Sequence, residues 1–149
     1  MENAQPDLLD LDPSKDPKLA YIDGMDFELL ADRLCEEDLA TELDPLMDRD
    51  LCSALIQNYK RFLKLNLIYK SQSLRPTMGI DVIWHYHILD TKRYIADCRH
   101  VFGAYLHHIP SYHRSAEPRQ TDTKGVDMDA LFQKHFGTSI HVHYAGRVY

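Results

Sequence analysis

Long apolar runs, paired cysteines and glycine-rich loops are what this sequence lacks. No stretch approaches the ~18 consecutive apolar residues of a membrane-crossing helix, so no membrane partner is expected. Cys35, Cys52 and Cys98 are the only cysteines, odd in number and in no CxxC pair. That spacing excludes a disulfide framework and a zinc ribbon and reads as three reduced thiols. HExxH, the P-loop, the dinucleotide-binding glycines and GxSxG are all missing. With them go the usual signatures of zinc proteases, nucleotide enzymes and serine hydrolases. The amino-terminal MENAQPDLLDLDPSKD is acidic and has neither the basic leader nor the apolar core of a secretory signal, so the expected location is cytoplasmic.

What is present fits a globular chain of one domain, residues 1–149, with 44% hydrophobic and 27% charged residues and enough length to bury a core without staples. Charge is unevenly placed. Residues 1–50 carry 16 acids and four bases, and 51–149 carry seven acids and 13 bases, so a net charge of −12 faces one of +6. The halves should attract each other. The bases are scattered singly and no nucleic-acid-binding motif accompanies them, so nucleic acid is not an expected partner.

The fold class that the pattern predicts is mainly α: a single compact domain of about four to five helices, an extended acidic arm over 1–20, and a short carboxy-terminal strand. Residues 1–20 hold three prolines and no sustained helical period. Asp26 can cap a short helix with Phe27, Leu30 and Leu34 on one face. Asp44-Pro45 is a start signal for the longest helix, with Leu51, Leu55, Tyr59 and Phe62 as its stripe and an end near Ser71. Asp90 reads as the cap of a further helix whose apolar positions, from Tyr94 to Leu106, repeat up to Pro110, with Gly103 inside it. Residues 111–125 read as a long loop or lid. Asp127 caps a last helix stopped by Gly137, and Ile140, Val142 and Tyr144 alternate with His141 and His143 as in a strand.

The chemistry concentrates in residues 81–113, DVIWHYHILDTKRYIADCRHVFGAYLHHIPSYH, which hold six of nine histidines and the one tryptophan. As a helix, residues 81–89 put Asp81 and His85 on one face at i and i+4, a spacing that suits a shared metal, while His87 points elsewhere. As a strand, they put Asp81, His85 and His87 on one face. Farther on, His108 falls toward the apolar edge and is the better inward ligand than His107. Two clusters can form, Asp81, His85 and Cys98 against His107, His108 and His113. One shared site is favoured, because Gly103 can bend the helix and Pro110 can fold its end back. Imidazole and carboxylate without paired thiols suit iron or copper ahead of zinc. The plain alternative for His85 and His87 is a hydrogen-bonded core, for His107 and His108 a complement to a helix end, and for Cys98 packing.

Trp84-His85-x-His87, with Leu89, Tyr94, Asp97-Cys98 and Phe102-Gly103, resembles the glycine-rich-domain-containing-protein-like family, whose plant members share this pattern. The resemblance covers Asp81 to Leu106. His107-His108-x-Pro is similar to small bacterial relatives, and the glycine-rich tail is missing. The resemblance implies a helical module and a special status for Trp84, His85 and His87. Two functions remain in view: an oxidative metalloenzyme acting on a small molecule or peptide, with Asp81, His85, His87, His107 and His108 as candidate ligands; and a non-catalytic interaction module in which WHxH and Asp-Cys are structural.

Overall fold

The computed structural model describes residues 11–36, 47–70, 72–109 and 126–149. Among these lie six helices, α1 (Pro17–Asp23), α2 (Glu28–Leu34), α3 (Arg49–Ile68), α4 (Met78–Leu89), α5 (Thr91–Phe102) and α6 (Met128–Phe136), and a hairpin of β1 (His143–Tyr144) and β2 (Arg147–Val148). The fold is mainly α. Among the described residues, no helix is long and apolar enough to cross a membrane.

α3 is the longest helix, and α1, α2 and α4 all pack against it. Its stripe of Leu51, Leu55, Tyr59 and Phe62 is fully buried, as the spacing predicts. The predicted ends need correction. The Asp48 carboxylate accepts from the Leu51 amide and opens the helix, so it starts at Arg49 rather than at Asp44-Pro45, and it stops at Ile68, short of Ser71. Asp44 and Pro45 themselves lie outside the described residues, as does the loop predicted over 111–125.

The extended arm also needs correction. Asp16-Pro17 is a helix start of the kind sought at Asp44-Pro45: the Asp16 carboxylate accepts from the Lys18 amide and proline takes the first turn, where it loses no bond. α1 is only seven residues long, too short for periodicity to reveal, yet it buries Leu19 and Ile22. α2 forms where predicted, but its N-cap is Phe27 and carries no side-chain cap; Asp26 stands one residue earlier, with its carboxylate accepting from the Glu28 amide.

Residues 81–89 are helical, which settles the choice between helix and strand. Thr77 caps α4. α5 differs most from expectation. It ends at Phe102, because Gly103 takes the left-handed conformation (φ 69°) and closes the helix rather than sitting inside it. Asp90 precedes α5 but makes no side-chain capping bond; its backbone (φ −80°, ψ 71°) is away from the extended geometry that turns a capping carboxylate back on the first amides. Asp90→Ala is therefore expected to change the unfolding free energy by less than about 0.5 kcal/mol, measured by urea denaturation.

At the carboxy-terminal side, Asp127 caps α6 and Gly137 (φ 65°) ends it, both as predicted. Ile140 is buried while His141 and His143 are exposed, the predicted alternation. β1 pairs antiparallel with β2 across Ala145 and Gly146, both at positive φ, which is the turn geometry that matches strand twist.

Candidate metal centre

Leaving α5 at Gly103, the chain returns alongside α4 instead of continuing away from it. Two hydrogen bonds, the first of them buried, hold the return: the Trp84 indole Nε1–H donates to the Tyr94 hydroxyl (2.9 Å), which donates to the Leu106 carbonyl (2.5 Å). Burial pushes the Tyr94 hydroxyl well above its ordinary pKa, so it stays a donor. With Leu106 fixed, the His108 ring meets the Trp84 ring at 4.5 Å between centroids. A helix running straight on to Pro110 would carry His108 away from His85; ending at Gly103, the chain brings the two together.

His108 Nε2 lies 2.5 Å from Asp81 Oδ1 and 3.1 Å from His85 Nε2, and His85 Nε2 lies 3.6 Å from Asp81 Oδ2. One donor atom from each residue falls within 4.8 Å of the other two. Asp81 and His85 meet because they stand one turn apart on α4; His108 joins them through the Trp84–Tyr94–Leu106 tether. A carboxylate only accepts, so His108 Nε2–H donates to Asp81, and the direction of the His85–His108 contact follows the tautomer that His85 adopts. Their side chains are 34%, 53% and 13% exposed for Asp81, His85 and His108, so the cluster is open to solvent on one side.

The open side is a cleft of about 440 Å³ whose lining includes Asn66, Gln72, Ser73, Met78, His107 and Ile109, within the range of small-ligand sites. His107, one of the predicted ligands, lines this cleft and leans on the Tyr105 ring at 4.8 Å; it is not among the three atoms that converge. Cys98 is buried against Tyr94 and the Leu106 backbone and is not among the converging residues. His113 lies outside the described residues.

His87 is elsewhere. It faces the core, where its Nε2 is 2.7 Å from Asp97 Oδ2 and its Nδ1 is 2.7 Å from the Tyr59 hydroxyl. Because Asp97 only accepts, Nε2–H donates to it and Tyr59 donates to Nδ1. Both ring nitrogens are occupied, so the structure sets His87 apart from the cluster. The Tyr21 hydroxyl donates to the other Asp97 oxygen at 2.6 Å, and the chain Tyr59–His87–Asp97–Tyr21 joins α3, α4, α5 and α1. Sequence reading missed Tyr59 and Tyr21 in this role; Tyr59 was legible only as part of the buried stripe of α3, and nothing local marked Tyr21.

Burial alone would raise the Asp97 pKa, but the hydrogen bonds from His87 and Tyr21 outweigh it and hold the carboxyl below its ordinary value. The same bond to Asp97 pushes the Tyr21 hydroxyl up to about 12. The Tyr21 contribution to stability is thus complete below the unfolded pKa of about 10 and is lost as pH rises through about 12. For Asp97 the sign is opposite: its contribution is present above about pH 4 and is lost as pH falls through its lowered folded value. Urea midpoints between pH 9 and 12 should fall for the native chain and fall less steeply in Tyr21→Phe, with the buried Cys52, Tyr59 and Tyr94, also raised, supplying the slope that remains.

Comparison with known proteins adds a family and little chemistry. Over 87 residues the chain is 30% identical to Glycine-rich domain-containing protein 1 of Arabidopsis thaliana, a stretch covering 56% of this chain and 11% of that protein. The chain thus matches only a small part of that relative's length. No solved structure matches. The UCP032817-like family model matches residues 14–129, from just before α1 into the first turn of α6 and including Asp81, His85 and His108, and on that coverage the chain belongs to the UCP032817-like family.

Proposed function

We propose that Asp81, His85 and His108 bind a divalent redox metal, iron or copper ahead of zinc, and that the protein is a metal-dependent oxidoreductase acting on a small molecule or peptide held in the adjoining cleft. The observation that carries this reading is the convergence of two imidazole nitrogens and one carboxylate from two separate chain segments, beside a cleft. Two histidines and one carboxylate with open positions are the ligand set of non-haem iron oxygenases. A metal bound there supplies one-electron redox chemistry and free coordination positions for substrate.

The chain's own residues do the rest. Trp84 packs against the His108 ring and fixes its orientation, and the apolar floor under Trp84 keeps water from that side. Asn66, Gln72 and Ser73 offer neutral hydrogen-bonding groups to a substrate, and Met78 and Ile109 offer apolar contact at the edge. The second reading, a non-catalytic interaction module, draws support from the exposure of Met78 and Ile109 at the cleft edge and from the structural use of His87 and Asp97.

Elemental analysis of protein purified without a histidine tag, reconstituted in turn with iron, copper and zinc salts, separates the two. The enzyme reading expects about one iron or copper per chain, with zinc bound less tightly, and oxygen consumption by the loaded protein when reductant is supplied. Less than a tenth of an equivalent of any metal after reconstitution would leave the interaction module.

A further inference from the structure

The three cysteines are not equivalent in space. Cys35 directly follows α2 and is half-buried; Cys52 stands in the first turns of α3 and is fully buried. The two helices are clasped by Arg49, the first residue of α3, which ion-pairs with Asp32 at 2.5 Å and also with Glu28 on α2. Cys35 lies three residues beyond Asp32 and Cys52 three residues beyond Arg49, and the two helices pack together. The two thiols are neighbours, close enough for Cys35 to act on the Cys52 thiol. Cys98 has other neighbours, Tyr94 and the Leu106 backbone, and is not part of the pair.

We propose that Cys35 and Cys52 form a reversible disulfide, a covalent clip between α2 and α3 that is independent of the metal reading. Glutathione disulfide is a sufficient oxidant. Cys35, the more accessible thiol, loses its proton to solvent and its thiolate attacks one glutathione sulfur; the glutathione disulfide bond breaks and one glutathione leaves. Cys52 then loses its proton and attacks the Cys35 sulfur, displacing the second glutathione. The two protein thiols are oxidised, glutathione disulfide is reduced to two thiols, and the protons end on the released glutathione.

Burial, with a smaller contribution from the neighbouring Cys35, pushes the Cys52 thiol up to about 12. Few Cys52 thiolates exist at neutral pH, so the second step is the slower one and a glutathione adduct on Cys35 should precede the clip. The sequence showed an odd set of isolated thiols; the packing of α2 on α3 is what makes two of them a pair.

The test treats the full chain with glutathione disulfide and follows it by intact mass and peptide mapping. The expected product has lost two hydrogens, carries one alkylatable thiol after denaturation where the reduced chain has three, and yields a peptide joining Cys35 to Cys52. Dithiothreitol should reverse it, and the oxidised form should melt about 5 °C or more above the reduced one. Cys52→Ala should stop at a single glutathione adduct on Cys35. Should that variant fail to fold, Cys35→Ser, at a half-exposed position, must abolish the link while Cys98→Ser leaves it intact. A wild-type chain that ends as a glutathione adduct without the link, or a link through Cys98 or between two chains, would overturn the proposal.

Discussion

Replacing His108 with alanine should weaken metal binding on the order of 100-fold or more while leaving the protein folded. Loss of a residue that only orients a ligand already costs 10–100-fold in affinity as a rule, so loss of a ligand itself should reach at least the upper end of that range. What remains in His108→Ala is Asp81 and His85 on one turn of α4, both well exposed, a two-donor pair with no third group to hold a cation. The ring also packs on Trp84, so a modest fall in melting temperature should accompany the change, without loss of the helical circular dichroism signal. Isothermal titration with iron(II) under anaerobic conditions and with copper(II) in air reads the affinity. His107→Ala is the matched control: its side chain lines the cleft without joining the three converging atoms, and its affinity should be that of the native chain. Native affinity in His108→Ala would remove the return segment from the coordination sphere.

His87→Ala should do the reverse, destabilising the fold by about 3–5 kcal/mol, or roughly 10–20 °C in melting temperature, with little effect on metal affinity in the fraction that stays folded. Removing the ring strips Asp97 of the Nε2–H partner that offsets its burial and leaves the buried Tyr59 hydroxyl without its acceptor. It also opens a void beside Phe27 and Tyr94, whose rings meet His87 edge-on at 5.0 and 4.9 Å. Asp97 keeps the Tyr21 hydroxyl and Arg93, whose Nε lies 3.5 Å from Oδ2, so the loss is one charge-assisted hydrogen bond to a buried carboxylate, a buried hydroxyl without its acceptor, and the void. Two residues away on the same helix, His85→Ala should cost less than about 0.5 kcal/mol, because that side chain is half exposed. Thermal melts of the two variants side by side give the comparison. Equal stability would mean that the Tyr59–His87–Asp97–Tyr21 chain does not hold the helices together.

The contrast between His85 and His87 marks how far local pattern reaches. The i, i+4 relation of Asp81 and His85 was legible because both partners sit on one helix, where geometry follows from spacing alone. The stripe of α3 and the glycine that ends α6 were legible for the same reason. His87 could not be placed that way: its partners come from α3 and α5, and tertiary packing, not helical period, decides which of two neighbouring histidines faces the core. His108 was preferred over His107 on the premise of a helix running to Pro110. The structure places His108 beside Asp81 and His85 by a different route, since Gly103 ends the helix and Tyr94 captures the Leu106 carbonyl. The repeat from Tyr94 through Leu106 continued past the true helix end because Leu106 packs on the same core from a non-helical segment. Asp90 misled for a backbone reason: residue type permits a cap, but only dihedral angles turn the carboxylate toward the amides.

The central claim is that imidazole from α4 and imidazole from the return segment meet on one metal. Electron paramagnetic resonance of the copper(II)-loaded protein tests it most directly, because nuclear couplings from coordinated nitrogen count the imidazoles. The account predicts couplings from two nitrogens in the native chain, from one in His85→Ala and from one in His108→Ala, with His107→Ala and the folded fraction of His87→Ala unchanged. A native-like spectrum in both His85→Ala and His108→Ala would contradict it.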